Sequence, residues 1–490
     1  MMRPDIVIIM ADQLRYDVLG KGYTPNIDTL MNESVCFDRA YCASPLCVPS
    51  RGAFFTGLCP DSNGSLINPW EPRDAEYGNV HSGIDNLYEL VSEDWEVIHS
   101  GKQHLFTSGV RLEDRSDLCI RWASTEKTYR EMLKKAGVRQ SGILGRFKSL
   151  VPETVGGKHT KISLYSNAET GCYPFDEKYY FDRYFTDMAL KAIDERKGEK
   201  RLFLSAMYLA PHPPLEIPQP WYSKVGPDSF QLPENVGKFY PHQSPLQMHN
   251  LTGIIGGMYR KEEWKETWRV YLGLVSMLDD CIGQLVAKLK EKGIYDNAII
   301  VFTADHGEML GSHSLFQKMC MYEESVRVPL SIKWPAGSGV GNYHVINPVS
   351  HLDLMPTLCE AAGITSRNRF EGVSLAHNVP ESDRPVFIQY DGNGSLSNFQ
   401  RAVIQGRYKF IADLFGEECF FELYDVVEDR MESTNLMFDP QYDGIAIKLY
   451  SLLDLHMKEK GARFCLPKPD FDAFRNNYSS IGFIDKRRWE

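Results

Sequence analysis

"DIVIIMADQ", residues 5–13, decides the fold. It is an apolar, β-branched run with no alternating polar face, the pattern of a strand covered on both sides in a parallel sheet. "AIIVFTADHGE" (298–308) reads the same way. "RLFLSAMYLAPHPP" (201–214) is a third strand, stopped by prolines, and "WEVIHSGKQH" (95–104) a shorter fourth after the helix-like "GIDNLYELVSE". Ahead of residue 298, "WRVYLGLVSMLDDCIGQLVAKLKEKG" carries apolar residues at helical spacing and ends at Gly293, a good C-terminal cap. Strands alternating with helices predict an α/β fold with a mainly parallel sheet.

Each of the four strands ends on residues that can do chemistry. The first gives Asp12 and Gln13, the second Asp305 and His306, the third His212, the fourth Lys102 and His104. Sites in open parallel sheets gather outside the carboxyl ends of the strands, so the four endings can share one cleft. Taken singly, each has a plain structural reading. An aspartate after a strand commonly caps a turn, and a histidine beside prolines is commonly loop. Four runs with the same habit favour the shared cleft.

The bulk composition narrows the function. A chain of 490 residues exceeds one ordinary core and predicts one large and one small domain. Its net charge of -11 argues against general nucleic-acid or anionic-membrane binding, so an anionic substrate requires a locally positive site. Eleven cysteines without C-x-x-C spacing resemble neither a disulfide framework nor a zinc knuckle. The run "IVIIMA" after "MMRP" is too short for a signal-peptide core, and no stretch reads as transmembrane. The expectation is a cytoplasmic protein with mostly reduced thiols.

"CVPSRGAFFTG" (47–57) predicts a helix of about two turns, because Pro49 suits a first turn and Gly57 an end. Cys47 then lies at or just before a helix N-terminus, where free N–H groups favour an anion, and Arg51 lies one turn in. A buried cysteine before an ordinary helix fits the same position.

The C-x-P-S-R segment with its following "TG" resembles the signature of the type I sulfatases, the formylglycine-dependent members of the alkaline-phosphatase-like superfamily. The resemblance extends to "ADQLRYD", "TPNIDTL", "GKQH", "APHPP", "TADHGEMLGSH", "KMCMYEESVRVPL", "SHLDLMPTL" and "ELYDVVEDRMESTNL", in the family's order. It implies a large catalytic domain, 1–379, and a smaller C-terminal α+β domain, 380–490. The short alternating strands "VFIQYDG", "RAVIQGRYKFIAD" and "CFFELYD", followed by the amphipathic "DGIAIKLYSLLDLHMKEKG", fit that smaller domain.

What the resemblance implies for chemistry meets the needs of sulfate-ester cleavage: a neutralised sulfate, a strong nucleophile and a protonated leaving group. Cys47, oxidised by a maturation enzyme to formylglycine, would attack sulfur through one hydroxyl of its hydrate and expel sulfate through the other. Asp12, Gln13, Asp305 and His306, with the residue at 47, match the family's metal ligands. The oxygen-rich set suits calcium, and the imidazole of His306, softer than an amide oxygen, opens the site to manganese or magnesium. Arg51 would steady the formylglycine, Lys102 and His104 would contact sulfate and diol, and His104 would be the base for sulfate expulsion. His212 and Lys318 match the leaving-group side, one of them the general acid.

The nearest alternative is a phosphonate monoester or phosphodiester hydrolase of the same superfamily, in which hydroxyl side chains tend to replace the lysine and histidine of "GKQH". Keeping both favours sulfate. Loops 68–78, 105–175 and 213–265 are expected to border the pocket, and their aromatic and charged residues suit a small sulfated sugar. The aromatic tail leaves a homo-oligomer open. His313 reads as a loop-ordering or cleft-lining residue, His351 and Asp353 as a packing and capping pair, and the remaining cysteines as small buried hydrophobes.

Overall fold

The computed structural model describes residues 3–155, 159–376, 381 and 383–479. The four predicted strands are β1 (Asp5–Asp12), β2 (Trp95–Gly101), β4 (Arg201–Pro211) and β5 (Ala298–Ala304), joined by β3 (Ile120–Ser124) and β6 (Leu330–Lys333). With two short strands, Tyr343–Val345 and Val35–Phe37, they form one eight-stranded sheet. Its order is Tyr343–Val345, Val35–Phe37, β6, β5, β1, β4, β2, β3. From β5 to β3 all neighbours are parallel, while β6 runs antiparallel to β5. β1 occupies the middle and is buried at every position, as its unbroken apolar run requires.

The register sets the strand ends level. Ala11 pairs with Ala304, Asp12 with Pro211, and Met207 with Gly101, so the residues that follow emerge from one sheet edge. Gly101 is required there. Its φ is +112°, and a Cβ would meet the Met207 carbonyl oxygen at 1.9 Å. That close approach lets the Lys102 amide donate to the same carbonyl.

The long helix α3 (Lys261–Glu291) begins seven residues before the predicted apolar run, in a charged first turn that carries no periodic signal. It is long and apolar enough to cross a membrane, by length and composition alone. Its apolar residues are spent within the molecule, where Trp264, Tyr271 and Leu278 are fully buried. Tyr271 also clamps the exit from β1: its hydroxyl donates to the Gln13 carbonyl at 2.9 Å and accepts from the Arg15 amide at 3.0 Å.

The C-terminal part holds a four-stranded antiparallel sheet, β7 (Val386–Tyr390), β8 (Phe399–Gln405), β9 (Tyr408–Phe415) and β10 (Glu418–Asp425). The helix α4 (Asp443–Glu459) packs on it through Leu449 and Leu453. The proposed boundary at 379/380 lies outside the described residues. Lys409 reaches from β9 to Glu323 at 3.0 Å, a fully buried ion pair between this sheet and the large domain.

His351 and Asp353 have structural roles. Asp353 accepts from the Ser350 amide at 2.8 Å, and His351 bonds Thr303 and packs edge-on against Phe54. The cysteines divide: Cys36, Cys42, Cys59, Cys281, Cys320 and Cys359 are buried, but Cys119, Cys172 and Cys465 are exposed and Cys419 is half-buried. The expectation of buried thiols therefore fails for four of them; Cys172, for one, points outward from a strand whose neighbouring Tyr173 is buried.

Candidate active site

The signature helix α1 spans Cys47–Thr56 and ends on Gly57 in the left-handed conformation, φ +69°. It is apolar enough to be buried along its whole length, which places its N-terminus against the strand ends. Ser50 donates to the Asp305 carbonyl at 2.5 Å, and the Val48 amide donates to Asn68 at 3.2 Å.

Arg51, one turn into α1, projects into the gap between β1 and β5. Its Nε donates to Asp305 at 3.0 Å, Nη2 to Asp12 at 3.2 Å and Nη1 to the Lys102 carbonyl at 2.8 Å. Lys102 pairs with Asp12, and its Nζ lies 3.7 Å from the Cys47 sulfur. That sulfur is 3.2 Å from His306 Nε2 and 4.0 Å from Asp12. His306 turns its other nitrogen to the Gly307 carbonyl at 3.0 Å, which leaves Nε2 for the centre.

One ligand atom each from Asp12, Cys47, Asp305 and His306 lies within 4.8 Å of the others, all buried. Two carboxylates and an available imidazole nitrogen in such a space fit a divalent cation. Gln13 is adjacent but engaged elsewhere: its amide oxygen accepts from Lys318 at 2.6 Å and its amide nitrogen donates to Glu308.

The electrostatics are those of an anion site. Burial raises the Cys47 thiol, but Lys102, Lys318 and His306 outweigh it and hold the group well below its ordinary range. Burial and the Cys47 sulfur push Asp12 up, yet Lys102, His212 and Arg51 bring it below the usual carboxylate range. Asp305 goes the other way, raised by burial and by the charge of Asp12. The positive groups that favour a thiolate at position 47 would favour a bound sulfate equally.

His212 Nε2 sits 3.0 Å from Lys318 Nζ and 4.0 Å from Asp12. Burial and the Lys318 ammonium push its imidazole down to about 4. Its Nδ1 faces the Pro213 carbonyl and must donate to it, so Nε2 accepts from Lys318. His104 is 7% exposed, with φ +50°, and its ring meets the indole of Trp70 edge-on at 5.5 Å.

All of the candidate residues thus lie around one cluster. Of the three loops expected to border it, 68–78 contributes Trp70, which is 45% exposed, and 105–175 contributes Glu126, 3.4 Å from His104. In 213–265, Gln243 bonds His313, whose ring stacks on Tyr322 at 3.9 Å, so His313 orders its loop and lies outside the cluster. Sequence reasoning missed Glu308, although it stands inside "TADHGEMLGSH". It missed Glu126 as well, since a glutamate in a first helical turn carries no signal beyond helix-end electrostatics.

A family model described as Sulfatase matches residues 4–364, and one described as N-sulphoglucosamine sulphohydrolase, C-terminal, matches 311–459. The choline-sulfatase of Rhizobium meliloti is 28% identical over 459 residues, covering 90% of this chain and 83% of that protein. Among solved structures, the phosphonate monoester hydrolase of Agrobacterium radiobacter superposes with a TM-score of 0.72 at 20% identity, covering 94% of this chain and 96% of its own. Another, solved with its substrate D-glucosamine-2-N,6-O-disulfate, superposes with a TM-score of 0.63 at 20% identity, covering 94% and 99%.

Proposed function

Since the chain belongs to the type I sulfatase family and is a sulfuric ester hydrolase, we propose that it cleaves a small sulfated carbohydrate with a formylglycine made from Cys47. The observation that carries this reading is the convergence of Cys47, Asp12, Asp305 and His306 under the positive charges of Lys102 and Arg51. The thiol stands here for the aldehyde that a maturation enzyme would make of it.

A divalent cation held by Asp12, Asp305 and His306 would supply Lewis-acid polarisation of a sulfate oxygen. The hydrated aldehyde would supply a hydroxyl nucleophile at position 47. The chain's own groups do the rest. Arg51 fixes both carboxylates relative to the N-terminus of α1. Lys102 and the first turn of α1 offer positive charge where the sulfate oxygens would sit. Lys318 donates to His212, which supports Lys318 as the general acid and His212 as its acceptor. The Lys318 proton would go to the departing alkoxide to give the alcohol. After the second hydroxyl at position 47 gives up its proton and sulfate is expelled, one water would rehydrate the aldehyde. Ester and water thus become alcohol, sulfate and one proton, which restores the acid.

Support for a sugar comes from the Trp70 indole at the mouth, a face on which a pyranose ring can stack, and from the sulfated glucosamine that a structural neighbour takes as substrate. The second reading, a phosphonate or phosphodiester hydrolase, draws on the fold shared with the phosphonate monoester hydrolase of Agrobacterium radiobacter. Lys102 and His104 at the cluster favour sulfate. The test is a panel of sulfated monosaccharides, choline sulfate, an aryl sulfate and a phosphonate ester, offered to protein co-expressed with a maturation enzyme. Fastest turnover of a sulfated sugar is expected. Turnover of the phosphonate far ahead of every sulfate overturns the reading.

A further inference from the structure

A fifth parallel strand ends at the same edge. β3 pairs with β2 in parallel, Ser100 opposite Ser124, and their hydroxyls bond each other at 2.6 Å. β2 therefore delivers Lys102 and His104, and β3 delivers Thr125 and Glu126 beside them. Helix α2 (Glu126–Ala136) starts on a reciprocal cap: the Thr125 amide donates to the Thr128 hydroxyl at 2.9 Å, and the Thr128 amide to the Thr125 hydroxyl at 3.3 Å. The first helical residue is thus fixed, and it is Glu126.

Its carboxylate lies 3.4 Å from His104 Nε2 and 3.6 Å from Arg111. The opposite ring nitrogen, His104 Nδ1, is buried without a hydrogen-bond partner among the described residues. The ring is confined by Trp70 and by a backbone held at positive φ. Nε2 faces the Glu126 carboxylate, and the unpartnered Nδ1 is the ring nitrogen left for the cluster.

We propose that Glu126 is a positioning residue: it accepts Nε2–H of His104 and so presents the Nδ1 lone pair to the reacting group at position 47. The proposal rests on the reading of Cys47 as the reacting residue. A proton leaving a hydroxyl at that position passes to Nδ1, and the imidazolium formed keeps its second N–H on the carboxylate. Lys102 and Arg51 attract the sulfate, but neither can take up a proton. Glu126 acts only through His104.

Two measurements test this. The first is the tautomer of His104 in unmodified, histidine-labelled protein, read by long-range ¹H–¹⁵N correlation near pH ~8.5, where an ordinary imidazole is neutral, and assigned with His104→Gln. Protonation at Nε2 is expected, with loss of that preference in Glu126→Ala. An Nδ1–H tautomer in the parent protein overturns the proposal.

The second is a double-mutant cycle in converted enzyme. Glu126→Ala should lower kcat by roughly 10- to 100-fold, with KM changed less than about 2-fold. In a His104→Ala background the same change should cost less than about 2-fold. The near-isosteric Glu126→Gln, with an unchanged melt, guards against misfolding and should show the same split. Equal losses in both backgrounds overturn the proposal. A parent enzyme that hydrolyses no sulfate ester defeats the proposed function instead, and the tautomer measurement still decides the role of Glu126.

Discussion

Arg51 divides its guanidinium among Asp305, Asp12 and the Lys102 carbonyl, so one side chain ties three strand ends to α1. A lysine cannot reproduce that fork. Arg51→Lys leaves two buried carboxylates short of partners and should cost on the order of 3–5 kcal/mol, read from denaturant midpoints; an unchanged midpoint would contradict the bridging role. Lys318 allows a sharper chemical test. If it protonates the leaving oxygen, Lys318→Ala should slow a sugar sulfate by about 10²- to 10⁴-fold. A nitrophenyl sulfate, whose phenoxide leaves without help, should lose far less. Equal losses on both substrates would remove Lys318 from the acid role.

The ends of the strands were readable from sequence because each apolar run stops where the sheet stops, at Asp12, Gly101, Pro211 and Ala304. At the scale of the element, Gly101 shows how tight that edge is. Gly101→Ala puts a methyl group against the Met207 carbonyl and should separate β2 from β4. The expected result is a lower melting temperature together with lost activity, because Lys102 moves with the strand. A variant that melts like the parent would mean the edge relaxes freely.

The end of β3 was not readable, since "IRWAS" is short and half-exposed and its closing threonine and glutamate look like ordinary helix-start residues. In the small domain, Asp413 of β9 is buried and pushed up to about 7, mainly by burial and also by Glu422, against a hydrogen bond from Ser244 at 2.6 Å. A carboxyl raised on folding stabilises fully below its unfolded value, and that stability is lost as pH rises through the folded value. The window runs from about pH 4 to about 7. Asp413→Asn should therefore flatten the fall in stability between the two ends of this window; an identical pH dependence in both proteins would refute the assignment.

Over the whole molecule, the net charge of -11 contrasts with a centre where Arg51, Lys102 and Lys318 meet. The alternation of strands and helices made the large sheet legible, and turn-bounded alternating runs made the small one legible. Two further things were not legible. The side-chain partners of Gln13, which turns to Lys318 and Glu308, depend on packing that one chain segment cannot show. The exposure of Cys119, Cys172 and Cys465 depends on which faces other elements leave uncovered. The candidate ligands Asp12, Cys47, Asp305 and His306 come from three distant segments, so a cation that only the folded state binds would add to its stability. Chelation should lower both activity and melting temperature, with recovery on adding back calcium, manganese or magnesium. A melt unchanged after verified removal would count against the ligand set.

The most direct test plots sulfate release against the fraction of position 47 converted, measured by mass on the peptide that contains it, across preparations with graded maturation. A straight line through the origin is predicted. Full turnover by protein that keeps its sulfur, or no turnover of any sulfate ester by fully converted, metal-supplied protein, would contradict the account.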